Sequence, residues 1–254
     1  MPQSTVCVRS VKSRTWPHLP TTSIAVPNAV SSIRTKTYYG IKGARMKLVF
    51  LGPPGAGKGT LATLAKQAFN LPHISTGDIF RSNIKEGTPL GLKVKKILDS
   101  GGLVPDETTI EIVQDRLSKP DCQAGFILDG FPRTIAQAEA LETFAAPQVV
   151  INFILEDKII IQRLSGRRVC KVCGASYHLQ NLPPRREGLC DQCGGELIQR
   201  PDDTAQAIQQ RLSVYTAQTE PLIAYYRKKG TLKDIDATPQ PETVLQTLKK
   251  VLKA

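Results

Sequence analysis

The sequence predicts an α/β fold: a five-stranded parallel sheet with helices on both faces, broken once by a cysteine-bearing insertion. Three observations predict it. Apolar runs such as 148–155 (QVVINFIL) are continuous rather than alternating, as befits strands covered on both faces. These runs alternate with segments of helical periodicity. The first of them ends in a glycine-rich turn that opens a helix.

In chain order, 47–51 (KLVFL) reads as a strand, followed by the turn and a helix over 60–69. Further strands are expected at 71–74, 126–128 and 148–155, with helices at 76–86, 89–100, 106–118, 134–145 and 157–164. Residues 165–200 break this rhythm with four cysteines, two prolines and scattered glycines, and read as an insertion. A long helix over 204–229 then leads to a last strand at 232–235 and a closing helix. There is no internal repeat.

Composition narrows the class. With 41% hydrophobic and 22% charged residues the chain is an ordinary globular one, and no apolar run approaches the ~18 residues of a membrane helix. A net charge of +12 would suit a nucleic-acid or anionic-surface partner if it were spread evenly. It is not: residues 1–45 hold seven basic residues and no acid, and the remaining 27 basic against 22 acidic residues give only +5. No nucleic-acid or membrane partner is expected. Residues 1–45, rich in Ser, Thr, Pro and Arg without helical periodicity, read as a disordered basic extension. Two readings of it stand: an organelle transit peptide for plastid stroma or mitochondrion, or upstream sequence before a true start at Met46 in a cytoplasmic protein. Six cysteines, four of them in two close pairs, do not resemble a secreted disulfide framework, so a reducing compartment is expected.

The turn Gly52-Pro-Pro-Gly-Ala-Gly-Lys-Gly-Thr60 lies between strand and helix, the context in which such a turn cradles phosphate. Backbone N–H groups of Gly55, Ala56, Gly57, Lys58, Gly59 and Thr60 can converge on an anion, helped by the helix N-terminus, while Lys58 reaches the outer phosphates. Where the commonest form of the motif has a magnesium-ligating hydroxyl directly after the lysine, this chain has Gly59, and the hydroxyl follows on Thr60. Mg²⁺ is therefore expected on the phosphates, with Asp78 and Asp129 acting through water.

Three more segments carry chemistry: Ser75-Thr-Gly-Asp78 with Arg81, Gly101-Gly-Leu-Val-Pro105, and Asp129-Gly-Phe-Pro-Arg133 with Gln137. Asp129 ends an apolar run and should sit at the carboxyl edge of the sheet, where open α/β folds bind ligands. Arg133 and Gln137 share a helix face, offering a phosphate clamp and an amide for a base edge. Taken singly, Arg81 and Gln137 would read as solvated surface residues.

Together with the glycine turn, these segments resemble the adenylate kinase family in order and spacing, from Lys47 nearly to the C-terminus. The resemblance implies a P-loop NTPase-like fold in which 75–104 form an AMP-binding helical region and 165–202 a lid on the 46–254 core; a monomer is expected, since such an arm and lid need free surface. It implies reversible transfer of the γ-phosphoryl of Mg·ATP to AMP, giving two ADP. It assigns AMP to Thr76, Arg81, Gly102, Leu103, Val104, Gly130, Phe131, Pro132, Arg133, Gln137, Arg200 and Arg211. ATP falls to the glycine turn, Arg163, Arg167, Ser176, Tyr177 and Pro239, with Lys58, Arg133, Arg167, Arg200 and Arg211 as the catalytic set. Asp202 and Asp203 match acidic positions near the lid hinge. Such transfer needs positioning and charge stabilisation rather than covalent chemistry, which planar, permanently charged guanidinium groups suit.

Cys170-Lys-Val-Cys173 and Cys190-Asp-Gln-Cys193, sixteen residues apart, have the spacing of a structural zinc site whose four thiolates leave no open position. Zinc in the lid is also what the resemblance implies. A redox role for either pair is the alternative. Cys7 and Cys122 carry no role, and His73 and His178 read as packing or polar surface residues. Two other functions stand as alternatives for the whole chain: a UMP/CMP or GMP kinase, and a zinc-ribbon nucleic-acid-binding ATPase, which the 6% aromatic content disfavours.

Overall fold

The structure is a computed structural model that describes residues 46–253; the predicted extension at 1–45 lies outside them. Five parallel strands form the central sheet in the order β2-β3-β1-β4-β8. They are β1 (Met46–Leu51), β2 (His73–Ser75), β3 (Gly125–Asp129), β4 (Val149–Ile154) and β8 (Leu232–Asp236). Leu48 and Phe50 of β1 point to one face, packing with Leu61, Ala65 and Phe69 of α1 (Lys58–Phe69) and Val244 and Leu248 of α9 (Pro241–Val251). Val49 and Leu51 point to the other, against Val113 of α4 (Asp106–Leu117), Leu141 of α5 (Ile135–Ala145) and Tyr226 of α8 (Pro221–Lys228). Both faces being buried, the strand sequence has no polar alternation to show. Each such aliphatic residue withdrawn from water contributes about 1.5–3 kcal/mol, so the two cores anchor whatever the sheet edge presents.

Two smaller units project from the carboxyl edge. Helices α2 (Thr76–Glu86) and α3 (Pro89–Asp99) form an arm with its own apolar cluster of Phe80, Val94 and Val104. Their crossing is tight: a Cβ at Gly91 would lie 2.1 Å from the Asn83 carbonyl oxygen. After α6 (Asp157–Ser165), a three-stranded antiparallel sheet in the order β6-β5-β7 forms the second unit, from β5 (Arg167–Cys170), β6 (Ser176–His178) and β7 (Leu197–Ile198). Its buried cluster is only Cys170, Tyr177 and Cys190.

Three expectations change. The first helix begins at Lys58, two residues early, because Gly57 takes the left-handed cap position (φ 84°). The second strand starts at His73 rather than 71, after Asn70 turns left-handed (φ 54°) at the end of α1. The long helical stretch over 204–229 is present but changes its winding, running as α7 (Ala205–Val214), a wide π turn at Tyr215–Thr219, and α8. Pro221 lacks the N–H that a continuous helix would need there.

Candidate active site

The turn between β1 and α1 is built by glycines that no other residue could replace without strain. Gly52 (φ +139°) passes so close to β4 that a Cβ would lie 2.8 Å from the Phe153 carbonyl oxygen. At the helix start no side chain caps the first turn, which leaves its N–H groups directed into the loop. Lys58 folds over that loop, its Nζ donating to the Gly52 (2.7 Å) and Pro53 (2.8 Å) carbonyls. Burial pushes its ammonium down to about 8, with Asp129 opposing the shift and Arg133, Arg211 and Arg167 adding to it. The charges of those four residues are thus all felt at one lysine. Asp129 faces the loop directly: a Cβ at Gly59 would sit 3.4 Å from its Oδ2. The same Oδ2 lies 3.5 Å from His73 Nε2, which is buried without a hydrogen-bond partner.

Beside it opens a shallow cleft lined by Thr76, Gly77, Phe80, Leu98, Gly102, Leu103, Val104, Thr109, Gly130, Arg133 and Gln137. Seven of these lining residues were expected from sequence, whereas Gly77, Phe80, Leu98 and Thr109 were not. Thr76 donates to the Gly130 carbonyl (2.9 Å), and Arg133 Nε to the same oxygen (2.8 Å), drawing the arm and the sheet edge together. Gln137 is buried, and its carboxamide is held at both ends. Its Oε1 accepts from the Arg133 N–H (2.8 Å), and its Nε2 donates to Asp106 (2.7 Å), which also accepts from the Thr134 hydroxyl (2.8 Å). Asp106 is thus a site-orienting residue that sequence reasoning missed. Phe131 is fully buried in the core beneath Leu128 and Ala138, so its backbone rather than its ring is left to meet a ligand. Arg81 pairs with Asp78; burial works against the Asp78 carboxylate, and the Arg81 charge and hydrogen bond outweigh it and hold its pKa low. Asp78 is thus committed to Arg81, and of the two carboxylates expected near magnesium it is Asp129 that faces the glycine turn.

A network of opposite charges spans the gap between turn and cleft. Arg167 grips Asp203 through two nitrogens, Nε at 2.7 Å, while Arg211 reaches both Asp203 (2.9 Å) and Asp202 (3.0 Å). Asp203 is buried, so it needs these partners. Arg200 is left with a buried Nε that finds no acceptor, and burial together with the Arg81 and Arg167 charges pushes its pKa down. Half-buried, mutually repelling cations in such number favour an anion between them. Arg163 forks to the Ala237 (3.0 Å) and Thr238 (2.9 Å) carbonyls, which sets its guanidinium beside the turn containing Pro239.

The four lid cysteines come together as their spacing implies, with all Sγ atoms within 4.8 Å of one another and the closest pairs at 3.4 and 3.6 Å. Tetrahedral zinc at about 2.3 Å from each sulfur would set them about 3.8 Å apart, so the donor set fits. Each pair is followed by a glycine of positive φ, Gly174 (+76°) and Gly194 (+71°), whose N–H returns to the Cys170 (3.0 Å) or Cys190 (2.8 Å) carbonyl. That repeated glycine was the readable sign of two matching knuckles. Tyr177 turns its ring into the lid interior, its hydroxyl accepting from the Asp191 N–H (2.8 Å), whereas Ser176 is exposed. His178 ties lid to hinge: its Nδ1 accepts from the Gln180 and Asn181 N–H groups (3.0 Å each), and a Cβ at Gly166 would collide with its ring.

Comparison with known proteins matches residues 50–231 to the family model described as adenylate kinase. An adenylate kinase of Treponema denticola is 56% identical over 204 residues, covering 80% of this chain and 98% of the relative. One from Clostridium tetani is 50% identical over 214 residues (82% and 99%), and one from Acetivibrio thermocellus 56% over 214 (82% and 97%).

Proposed function

This chain belongs to the adenylate kinase family, and from that premise we propose how its residues move the γ-phosphoryl group of ATP onto AMP, reversibly giving two ADP. The observation that carries the reading is a glycine turn closed by Lys58 beside the Thr76–Gln137 cleft that Arg133 lines, with Arg167 and Arg211 joined on Asp203. Two phosphate-binding mouths face one cationic centre. ATP takes the glycine turn, its adenine beside the Arg163 guanidinium and Pro239; Ser176 and Tyr177 meet it with lid backbone. AMP takes the cleft, its phosphate drawn by Arg81 and Arg133 and its base edge by Gln137, whose amide Asp106 already orients.

Transfer is in line, the AMP phosphate oxygen attacking the γ-phosphorus. Lys58 leaves its two carbonyl acceptors to follow the transferred group, and Arg167, Arg200 and Arg211 neutralise its oxygens. Closing arm and lid excludes the water that would compete as acceptor. Mg²⁺ would arrive on the phosphates and spread their charge, and Asp129 is placed to hold its waters, with Asp78 the second candidate once Arg81 turns to AMP. Zinc would be held by Cys170, Cys173, Cys190 and Cys193 and would supply shape rather than chemistry.

We further infer a monomer, since arm and lid need free surface, acting in the cytoplasm, where thiolates stay reduced. An organelle is the alternative if residues 1–45 act as a transit peptide, and microscopy of the tagged full chain decides. No helix among the described residues is long and apolar enough to cross a membrane.

The test is a coupled assay of ADP formation from ATP with AMP, UMP or GMP. AMP is expected to be the best acceptor, and Lys58→Ala to lower kcat about 10²–10³-fold. A better rate with UMP or GMP, or undiminished turnover in the variant, would sink the reading.

A further inference from the structure

The arm and the lid meet at a polar contact that phosphate chemistry does not require. Lys85, in the last turn of α2, donates from Nζ to the Val172 carbonyl at 3.2 Å. Val172 lies between the cysteines of the first knuckle, and the knuckle dictates where that carbonyl points. The Val172 and Cys173 N–H groups both aim at Cys170 Sγ, at 3.4 and 3.5 Å. In a trans peptide the N–H and C=O point in opposite directions, so a Cys173 N–H turned toward the sulfur sends the Val172 oxygen outward. Rotation of that peptide is hindered from behind, because Val172 Cγ2 and Cys170 Sγ sit so close to Gly195 that a Cβ there would lie 2.7 and 3.0 Å from them. Four thiolates around one zinc also leave a formal charge of about −2, which favours a cation on this side of the knuckle.

The geometry points to Lys85 as a latch that holds the lid closed over the AMP arm, with the metal knuckle as its socket. Lys85 is a positioning residue; it touches neither nucleotide. The inference rests on the adenylate kinase reading, in which closure assembles the site. Metal binding then does more than stiffen the lid, because it sets the carbonyl on which the arm closes.

The full chain with zinc bound is compared with Lys85→Met and Lys85→Arg. Affinity for a bisubstrate mimic, two adenosines joined by five phosphates, is measured by titration calorimetry, and turnover by the coupled assay. Losing the contact in Lys85→Met should weaken the mimic about threefold and raise KM for AMP by the same factor, with kcat not lowered. Arginine at 85 keeps a donor and should restore wild-type affinity. After zinc is stripped with a chelator, the wild-type and Met proteins should bind the mimic equally. The latch is overturned if Lys85→Met binds as tightly as wild type, if kcat falls with KM unchanged, if arginine is as impaired as methionine, or if the defect persists at full size without metal. Wild type failing to make ADP from AMP would instead overturn the functional reading itself.

Discussion

Lys58 is a side chain whose protonation an arriving polyphosphate should change. In the free protein burial holds it at about 8, below its ordinary 10.5, and negative phosphates favour the charged form. Nucleotide binding at pH 9 should therefore take up a proton, seen as a buffer-dependent heat in calorimetry, and KM for ATP should climb as pH rises past about 8. Proton release on binding would contradict this. The sign for stability is separate: between about 8 and 10.5 the unfolded chain keeps a proton that the folded one gives up, so this group favours folding increasingly as pH rises through that window. Lys58 and the four cysteines were legible because their chemistry is written in local spacing. Asp106 was not, since its hold on Gln137 spans 31 residues and arises only when α4 packs on α5.

At the scale of elements, the arm depends on how closely α2 and α3 cross. Gly91→Ala would gain up to about 1 kcal/mol of helix propensity, but its Cβ would meet backbone at 2.1 Å, and overpacking of that kind costs about 1–3 kcal/mol. The clash should win. KM for AMP should rise severalfold while the melting temperature moves little, because the arm cluster is separate from the two sheet cores. An unchanged KM would show that the crossing can relax at no cost. The five sheet strands were readable since burial on both faces makes them continuously apolar. The lid strands were not: β6 and β7 have three and two residues, too short to show a period. The break in the long helix had a sign in Pro221, and it has a use, since Thr219 in the wide turn donates to the Arg133 carbonyl at 2.9 Å.

For the molecule as a whole, stability is divided unevenly. The sheet carries two large apolar cores, whereas the lid's own buried cluster is two cysteines and a tyrosine, so a metal on its four thiols would supply much of what holds it folded. Chelation, or Cys170→Ser with Cys173→Ser, should remove about one zinc per chain and free the amides of 167–198 to exchange while those of β1, β3 and β4 stay protected. Metal content unaffected by the substitutions would exclude these sulfurs as ligands. The strand order has a consequence of another kind. Among the described strands β1 is the first a ribosome would release, yet it lies mid-sheet, between β3 and β4, and its earlier partner of the two begins only at Gly125. A nascent chain must therefore keep both edges of this apolar strand from strangers until more than seventy further residues have emerged, and a holding chaperone would find its natural target there.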